Sequence, residues 1–179
     1  MSANKVVVNR SMSLDGFIAG PDHAMDWIFE HLTAETDTVN EVMAATGAML
    51  IGRGTYEVGK RMAGDDNPDY DGGAKFVLTH RPPAEPDPAV TFLTCGLEEA
   101  VETARRAAGE GDLEILGADL AGQCLRAGLV DEILVYVLAV LLGDGVRFAP
   151  SGLGRIDLEP VGSGFSGGVT TLRFRVRKP

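Results

Sequence analysis

The chain has 179 residues and carries 16 Lys and Arg against 26 Asp and Glu, a formal net charge of −10. With 45% hydrophobic and 23% charged residues it has the make-up of a folded globular protein. It has no basic run and so lacks the cationic footprint of a nucleic-acid binder. Two cysteines, Cys95 and Cys124, do not make a disulfide framework. The start MSANKVVVNRS has no apolar signal-peptide core, and the longest apolar run, Ile133 to Leu142, is too short to span a bilayer as a helix. These features lead us to expect a cytoplasmic protein with no membrane partner, in one domain spanning 1–179. About two thirds of the unfolded surface of such a chain is hidden on folding. The 23 glycines among 179 residues, about 13%, exceed the usual ~7% and point to tight turns and backbone-lined loops.

Along the chain, Val6 to Val8 form a β-branched run at the very start. Ser13 to Gly20 holds two glycines and Asp15 and reads as a loop that closely approaches a ligand. Thr36 to Thr46 places Val39, Val42, Met43 and Thr46 on one helical face, with Gly47 as the stop. Ala48 to Ile51 is a short buried strand. Gly52-Arg53-Gly54-Thr55 then turns into a helix reaching Met62. Gly64 to Gly73, with four Asp, reads as an exposed loop. Phe76 to Thr79 and Val90 to Leu93 are strands on either side of a Pro-rich connector, Arg81 to Pro88.

From Leu97, the residues Leu97, Val101, Ala104 and Ala108 share a helical face, and Glu102 and Arg106 are spaced to pair. Leu113 to Leu116 is a strand. Leu120, Ala121, Cys124 and Leu125 form the apolar face of a short helix closed by Gly128. Asp131 to Leu142 reads as one long central strand. Thr170, Leu172, Phe174 and Val176 alternate with polar residues in a half-buried strand, and Ser163 to Gly168 reads as the turn of a closing hairpin. The order, roughly βαβαββαβαβββ, predicts a parallel-rich α/β sheet covered on both faces, with antiparallel edge strands at the C-terminus.

Ligands of such sheets lie beyond the carboxyl ends of strands, where helix N-termini point. Three places qualify. Gly52, Arg53 and Thr55 offer backbone N–H groups, a guanidinium and a hydroxyl suited to a phosphate, or simply a Gly turn with an exposed Arg. Gly117-Ala118-Asp119 opens a helix and suits a pyrophosphate; alternatively Asp119 is an N-cap. Thr79-His80-Arg81 suits a further phosphate or is a solvated strand exit. No Walker loop and no GxGxxG fingerprint is present. Asp15 is either a turn residue or a functional acid. Asp26 beside Trp27, the single Trp, is placed to hold a planar heterocycle, or else Trp27 is core. His23, Asp26 and His31 do not meet zinc spacing. Ser13 has no His–Asp partner at a telling spacing, which argues against a hydrolase triad.

The stretches VVVNRSMSLDGFIAG, MLIGRGTYE, KFVLTHRPP, LEILGADLAGQCLRAGLVDEILVYV and LLGDGVRF together resemble the dihydrofolate reductase-like superfamily. The likeness is closer to the reductase (C-terminal) domain of the riboflavin-biosynthesis deaminase/reductase and its free-standing bacterial relatives. It implies a three-layer sandwich, with helices on both faces of a mixed, mostly parallel sheet and a C-terminal hairpin. It also implies an NADPH-dependent reductase passing hydride to a small planar heterocycle, a pyrimidine of the ribosylaminouracil type or a pterin or dihydrofolate.

By this resemblance Gly52, Arg53 and Thr55 meet the cofactor phosphates, and Thr79, His80 and Arg81 meet the adenosine 2′-phosphate. Gly117, Ala118, Asp119 and Leu120 meet the pyrophosphate, and Ile18 and Ala19 border the nicotinamide. Asp15 matches the acid that faces substrate and is the candidate catalytic residue; apart from the resemblance, our reading of the residues takes Ser13, Asp26 and Trp27 as substrate contacts. No metal is implied, and a homodimer is the candidate assembly.

The family commonly has Gly-Gly where this chain has Gly117-Ala118, and Pro where it has Ala139. The first departure predicts a weaker grip on the pyrophosphate that Ala118→Gly would tighten. No zinc-deaminase pattern is present, so the complete bifunctional enzyme is not expected. The competing class is a non-catalytic nucleotide- or small-ligand-binding protein on the same fold.

Overall fold

A computed structural model of the chain describes residues 4–31, 37–62, 73–85 and 87–178. The chain runs β1 (Val6–Ser13), β2 (Phe17–Ala19), α1 (Asp26–His31), α2 (Asp37–Ala45), β3 (Thr46–Gly52), α3 (Arg53–Met62) and β4 (Ala74–Leu78). It continues β5 (Thr91–Leu93), α4 (Leu97–Ala107), β6 (Asp112–Leu116), α5 (Ala118–Arg126), β7 (Glu132–Leu138), β8 (Val146–Arg147), β9 (Leu158–Ser166) and β10 (Val169–Val176). Among the described residues, eight strands form one sheet in the order β5-β4-β3-β6-β1-β7-β10-β9, and β2 pairs with β8 in a second. From β5 to β7 every pairing is parallel. β10 and β9 join antiparallel. This is the mixed, mostly parallel sheet with a C-terminal hairpin that the sequence pattern predicts.

The core follows from side-chain alternation. On β7, Ile133 and Val135 pack with Val6, Val8, Leu50, Leu113 and Ile115 into one cluster. Leu134, Tyr136 and Leu138 turn to the other face and meet Trp27 and Val169. A strand buried on both faces reads as an unbroken apolar run, as 133–138 does. α4 buries Ala100, Val101 and Ala104, with Ala108 buried at its C-cap, and Arg106 Nε donates to Glu102 at 2.9 Å on its exposed side. α5 buries Leu120, Ala121, Cys124 and Leu125.

Several expectations are corrected. The central strand ends at Leu138 rather than Leu142, because Val140 N–H turns back to the Leu138 carbonyl and Leu14 N–H takes the Val140 carbonyl. Leu141 is left exposed. The segment read as a loop after β1 contains β2, and α1 was not anticipated. Thr46 opens β3 instead of ending a helix, and Met43 is exposed while Val42 packs against the core. Residues 163–166 belong to β9, so the hairpin turn is confined to Gly167-Gly168. The predicted loop from Gly64 lies, except for Gly73, outside the described residues.

Candidate functional site

Because β4, β3, β6 and β1 are parallel neighbours, their carboxyl ends share one edge. Thr79–Arg81, Gly52–Thr55, Gly117 and Asp15 follow these four strand ends in that order. At about 4.8 Å per strand the row is roughly 14 Å long, which suits an elongated ligand better than a single phosphate.

At its centre α3 and α5 begin side by side. Gly117 adopts φ 98 and ψ 138 as the N-cap of α5, with no side chain capping the helix. A Cβ there would lie 2.4 Å from Thr55 Oγ1. The backbone therefore approaches the α3 start closely, and uncapped N–H groups of α5 face the strand edge. An uncapped helix start favours an anion. The conformational demand lies on Gly117, not on Ala118, which is the first residue of α5 and already carries its Cβ. The expected weakness at Ala118 thus has no counterpart in the backbone. Asp119 is not the N-cap; its carboxylate accepts from Gln123 Nε2 at 2.7 Å. Leu120 puts its side chain in the core, so only its backbone is available to a ligand.

The first and third phosphate candidates are joined. Arg53 donates through Nη1 to the Arg81 carbonyl and through Nε to Glu57 at 2.5 Å. Thr79 is buried, and its hydroxyl accepts from Arg81 N–H at 3.1 Å. His80 and Arg81 are exposed.

Asp15 sits in a different setting. Its Oδ1 accepts from Ser13 Oγ at 2.6 Å and Leu142 N–H at 3.1 Å, and its Oδ2 from Gly143 N–H at 2.7 Å. The Ser13 hydroxyl is the largest cause that holds this carboxyl down at about 2, and the two backbone donors add to it. Through these bonds the Asp15 carboxylate ties the 13–17 loop to the 142–143 turn. Ser13 is fully buried; its one proton goes to Asp15 and its oxygen also accepts from Phe17 N–H at 2.9 Å, so it has no donor left for a substrate.

A depressed carboxyl stabilises the fold above its unfolded value, near 3.8, and that contribution is lost as pH falls through about 2. Asp15→Asn is therefore expected to lower Tm at pH 7, with the gap to wild type shrinking between pH 4 and pH 2. A gap that stays constant over that range in thermal melts would show that the ionised carboxylate is not the stabilising form.

Ile18 and Ala19 are buried in β2, and Ala19 pairs with Val146. Asp26 and Trp27 point into different surroundings. Asp26 is exposed and lines a cleft of about 200 Å³ with Asp22, His23, Val58 and Arg61. Trp27 is 8% exposed and belongs to the second core cluster, but among the described residues its Nε1 has no hydrogen-bond partner. Among the same residues Asn9 Oδ1 is another buried atom without a partner. It sits on the same face of the sheet, since Asn9 pairs with Leu134 of the Trp27 cluster. Among the described residues no group of three His, Cys, Asp or Glu could hold a metal ion.

Reading the sequence missed Arg10. Its guanidinium is buried between β1 and β6, donating to the Ile115 carbonyl at 2.6 Å and to the Asn9 carbonyl, with Glu114 3.9 Å away. The β1–β6 ladder covers only Val6–Leu113 and Val7–Glu114, and Arg10 bridges the strands where it stops. Burial lowers its pKa to about 10, which leaves it charged at neutral pH. The available signal was a single cation in the first strand, two residues after its run of three valines.

The fold is that of a dihydrofolate reductase-like protein. The family model described as the RibD C-terminal domain matches residues 4–164, and the chain belongs to that family. The chain is 27% identical over 142 residues to the uncharacterised protein YwjB of Bacillus subtilis, covering 79% of this chain and 80% of that protein. Among solved structures, a putative riboflavin biosynthesis protein from Shewanella sp. PV-4 superposes with a TM-score of 0.83 at 21% identity, covering 97% of this chain and 99% of that one. Dihydrofolate reductase from Enterococcus faecalis, complexed with NADP(H), gives 0.68 at 14% identity, covering 98% of each.

Proposed function

We propose that the protein is an NADPH-dependent reductase that passes hydride to a small planar heterocycle, of the ribosylaminouracil or the pterin class. The observation that carries this reading is the meeting of the α3 and α5 N-termini at Gly117 and Thr55, inside a row of strand ends with Arg53 and Arg81 at one side. Family membership and the NADP(H) bound by the Enterococcus dihydrofolate reductase support it.

The residues fit the cofactor. At Gly117 the backbone comes so close to Thr55 that a Cβ would overlap its Oγ1, which sets the starts of α3 and α5 together, and Gly52, Thr55 and the first N–H groups of α5 would hold the pyrophosphate. Thr79, His80 and Arg81 would hold a phosphate on the adenosine ribose, and Ile18 and Ala19 would border the far end. When bound, the cofactor supplies the hydride. The protein orients the acceptor and keeps water out. Asp15 fixes the loop that carries Ile18 and Ala19. Asp26, in its exposed cleft, is the carboxyl available to meet the acceptor. The indole N–H of Trp27 is a buried donor left for a ligand or a water.

Fluorescence titration with NADPH, followed by NADPH depletion with candidate pyrimidines and pterins, tests the reading. Arg81→Ala is expected to weaken NADPH by about 1.5–3 kcal/mol, the scale of a hydrogen bond to a charged group, and to leave NADH nearly unchanged. Equal losses for both dinucleotides in calorimetry would remove Arg81 from the phosphate site. One observation favours the second reading, a non-catalytic nucleotide- or small-ligand-binding protein: Asp15 already accepts three hydrogen bonds from its own loop and the 142–143 turn, a structural use of the carboxylate. Tight NADPH binding with no depletion by any acceptor selects it.

A further inference from the structure

One stripe of α3 grips the connector between β4 and β5. Arg53, Tyr56 and Lys60 stand at i, i+3 and i+7, so they share a helical face. Arg53 donates to the Arg81 carbonyl at the start of the connector. Tyr56 OH donates to Asp87 Oδ2 at 2.8 Å, near its end, and Lys60 Nζ donates to the same oxygen at 3.3 Å while lying 5.6 Å above the Tyr56 ring. The ring of Tyr56 stands edge-on to Phe92 of β5, with centroids 5.4 Å apart. Asp87 in turn folds its own neighbours, accepting Ala89 N–H on Oδ1 at 3.0 Å and Val90 N–H on its carbonyl at 3.3 Å. Backbone hydrogen bonds and the Tyr56 contact hold the Asp87 carboxyl below its ordinary value and burial holds the Tyr56 hydroxyl above its own, so the hydrogen bond between them persists across the neutral range.

The Tyr56 and Lys60 contacts with Asp87 join the connector to α3 and involve neither Gly117 nor any residue of α5, where the part common to both dinucleotides would lie. The Arg81 guanidinium has no partner among the described residues, and its backbone is fixed only by Thr79 Oγ1 and Arg53. Releasing the far end of the connector therefore loosens the residue that would tell NADPH from NADH.

We infer that Tyr56 and Asp87 are positioning residues that set cofactor specificity: by pinning the connector to α3 they present Arg81 to the phosphate on the adenosine ribose. This rests on the cofactor reading above.

The test is titration of full-length wild type, Tyr56→Phe, Asp87→Asn and Tyr56→Phe/Arg81→Ala with NADPH and with NADH, beside thermal melts. Tyr56→Phe is expected to weaken NADPH several-fold with NADH unchanged, and to add nothing once Arg81 is already alanine. Asp87→Asn reads the same contact from the other side should Tyr56→Phe fold poorly. An unchanged NADPH-to-NADH ratio in both variants, equal losses for the two dinucleotides, or additive losses in the double variant would overturn the inference while leaving the cofactor reading intact. A wild type that binds neither dinucleotide, or both alike, overturns the cofactor reading and this inference with it.

Discussion

Alanine at Gly145 is expected to cost about 2–6 kcal/mol of unfolding free energy, the sum of roughly 1–3 for a strained backbone and roughly 1–3 for overpacking. Gly145 sits at φ 131, and an added Cβ would lie 2.1 Å from the Ala19 carbonyl oxygen and 2.8 Å from Gly20 Cα. These are backbone atoms, so no rotamer change relieves the overlap. The only relief is to part β8 from β2, whose register is Phe17–Arg147 and Ala19–Val146. That also strains the Phe148 N–H bond to the Gly16 carbonyl, and with it the loop held by Asp15. Urea unfolding measures the loss. A difference under about 1 kcal/mol, with the same m-value, would mean that 145 tolerates a side chain and that the two-stranded sheet does not depend on its close approach.

How much was legible in the sequence depended on whether the controlling contacts were local. β7 showed itself because burial on both faces requires an apolar residue at nearly every position. α4 did so because Val101, Ala104 and Ala108 recur at helical spacing. The end of β7 did not, because the 139–143 segment is turned across the sheet edge by Asp15, 127 positions earlier than Leu142. Extending the apolar run to Leu142 followed composition where a distant carboxylate decides. β2 was invisible for a related reason: three consecutive buried residues show no alternation, and its partner β8 has only two residues.

The candidate site divides in the same way. Gly52-Arg53-Gly54-Thr55 and Gly117 advertise themselves, because a helix start after a strand needs small residues locally. That Arg53 reaches the Arg81 carbonyl, that Tyr56 reaches Asp87, and that Ser13 is consumed by Asp15 and Phe17 are facts of three-dimensional placement. A residue type alone also misled. Trp27 beside Asp26 suggested a joint clamp on a ring, but a helix turns neighbouring residues about 100° apart, and one went to the core while the other went to solvent.

Gly117→Ala is expected to raise the NADPH dissociation constant more than tenfold, that is by more than about 1.4 kcal/mol. Two separable effects combine. The φ of 98 is a conformation that residues with a Cβ rarely adopt, at a cost of order 1–3 kcal/mol. The Cβ also meets Thr55 Oγ1 at 2.4 Å, with Thr55 Cβ 3.6 Å away. Unlike the contact at Gly145, this one is with a side-chain oxygen that can rotate away, so the steric part is small and removable. The backbone part is not removable: to escape it, residue 117 must change φ, and the first N–H groups of α5 then lose their aim along the strand edge. The double variant Gly117→Ala/Thr55→Ala separates the two. It is expected to regain part of the melting temperature lost by Gly117→Ala, but to bind NADPH no better than Thr55→Ala combined with the backbone loss allows. Dinucleotide titrations of the wild type, both single variants and the double variant, each beside a thermal melt, close the cycle. Recovery of wild-type affinity in the double variant would show that the overlap with Thr55, and not the direction of the α5 N-terminus, had been the obstacle, and the anion cradle would then have to be sought in Gly52–Thr55 alone.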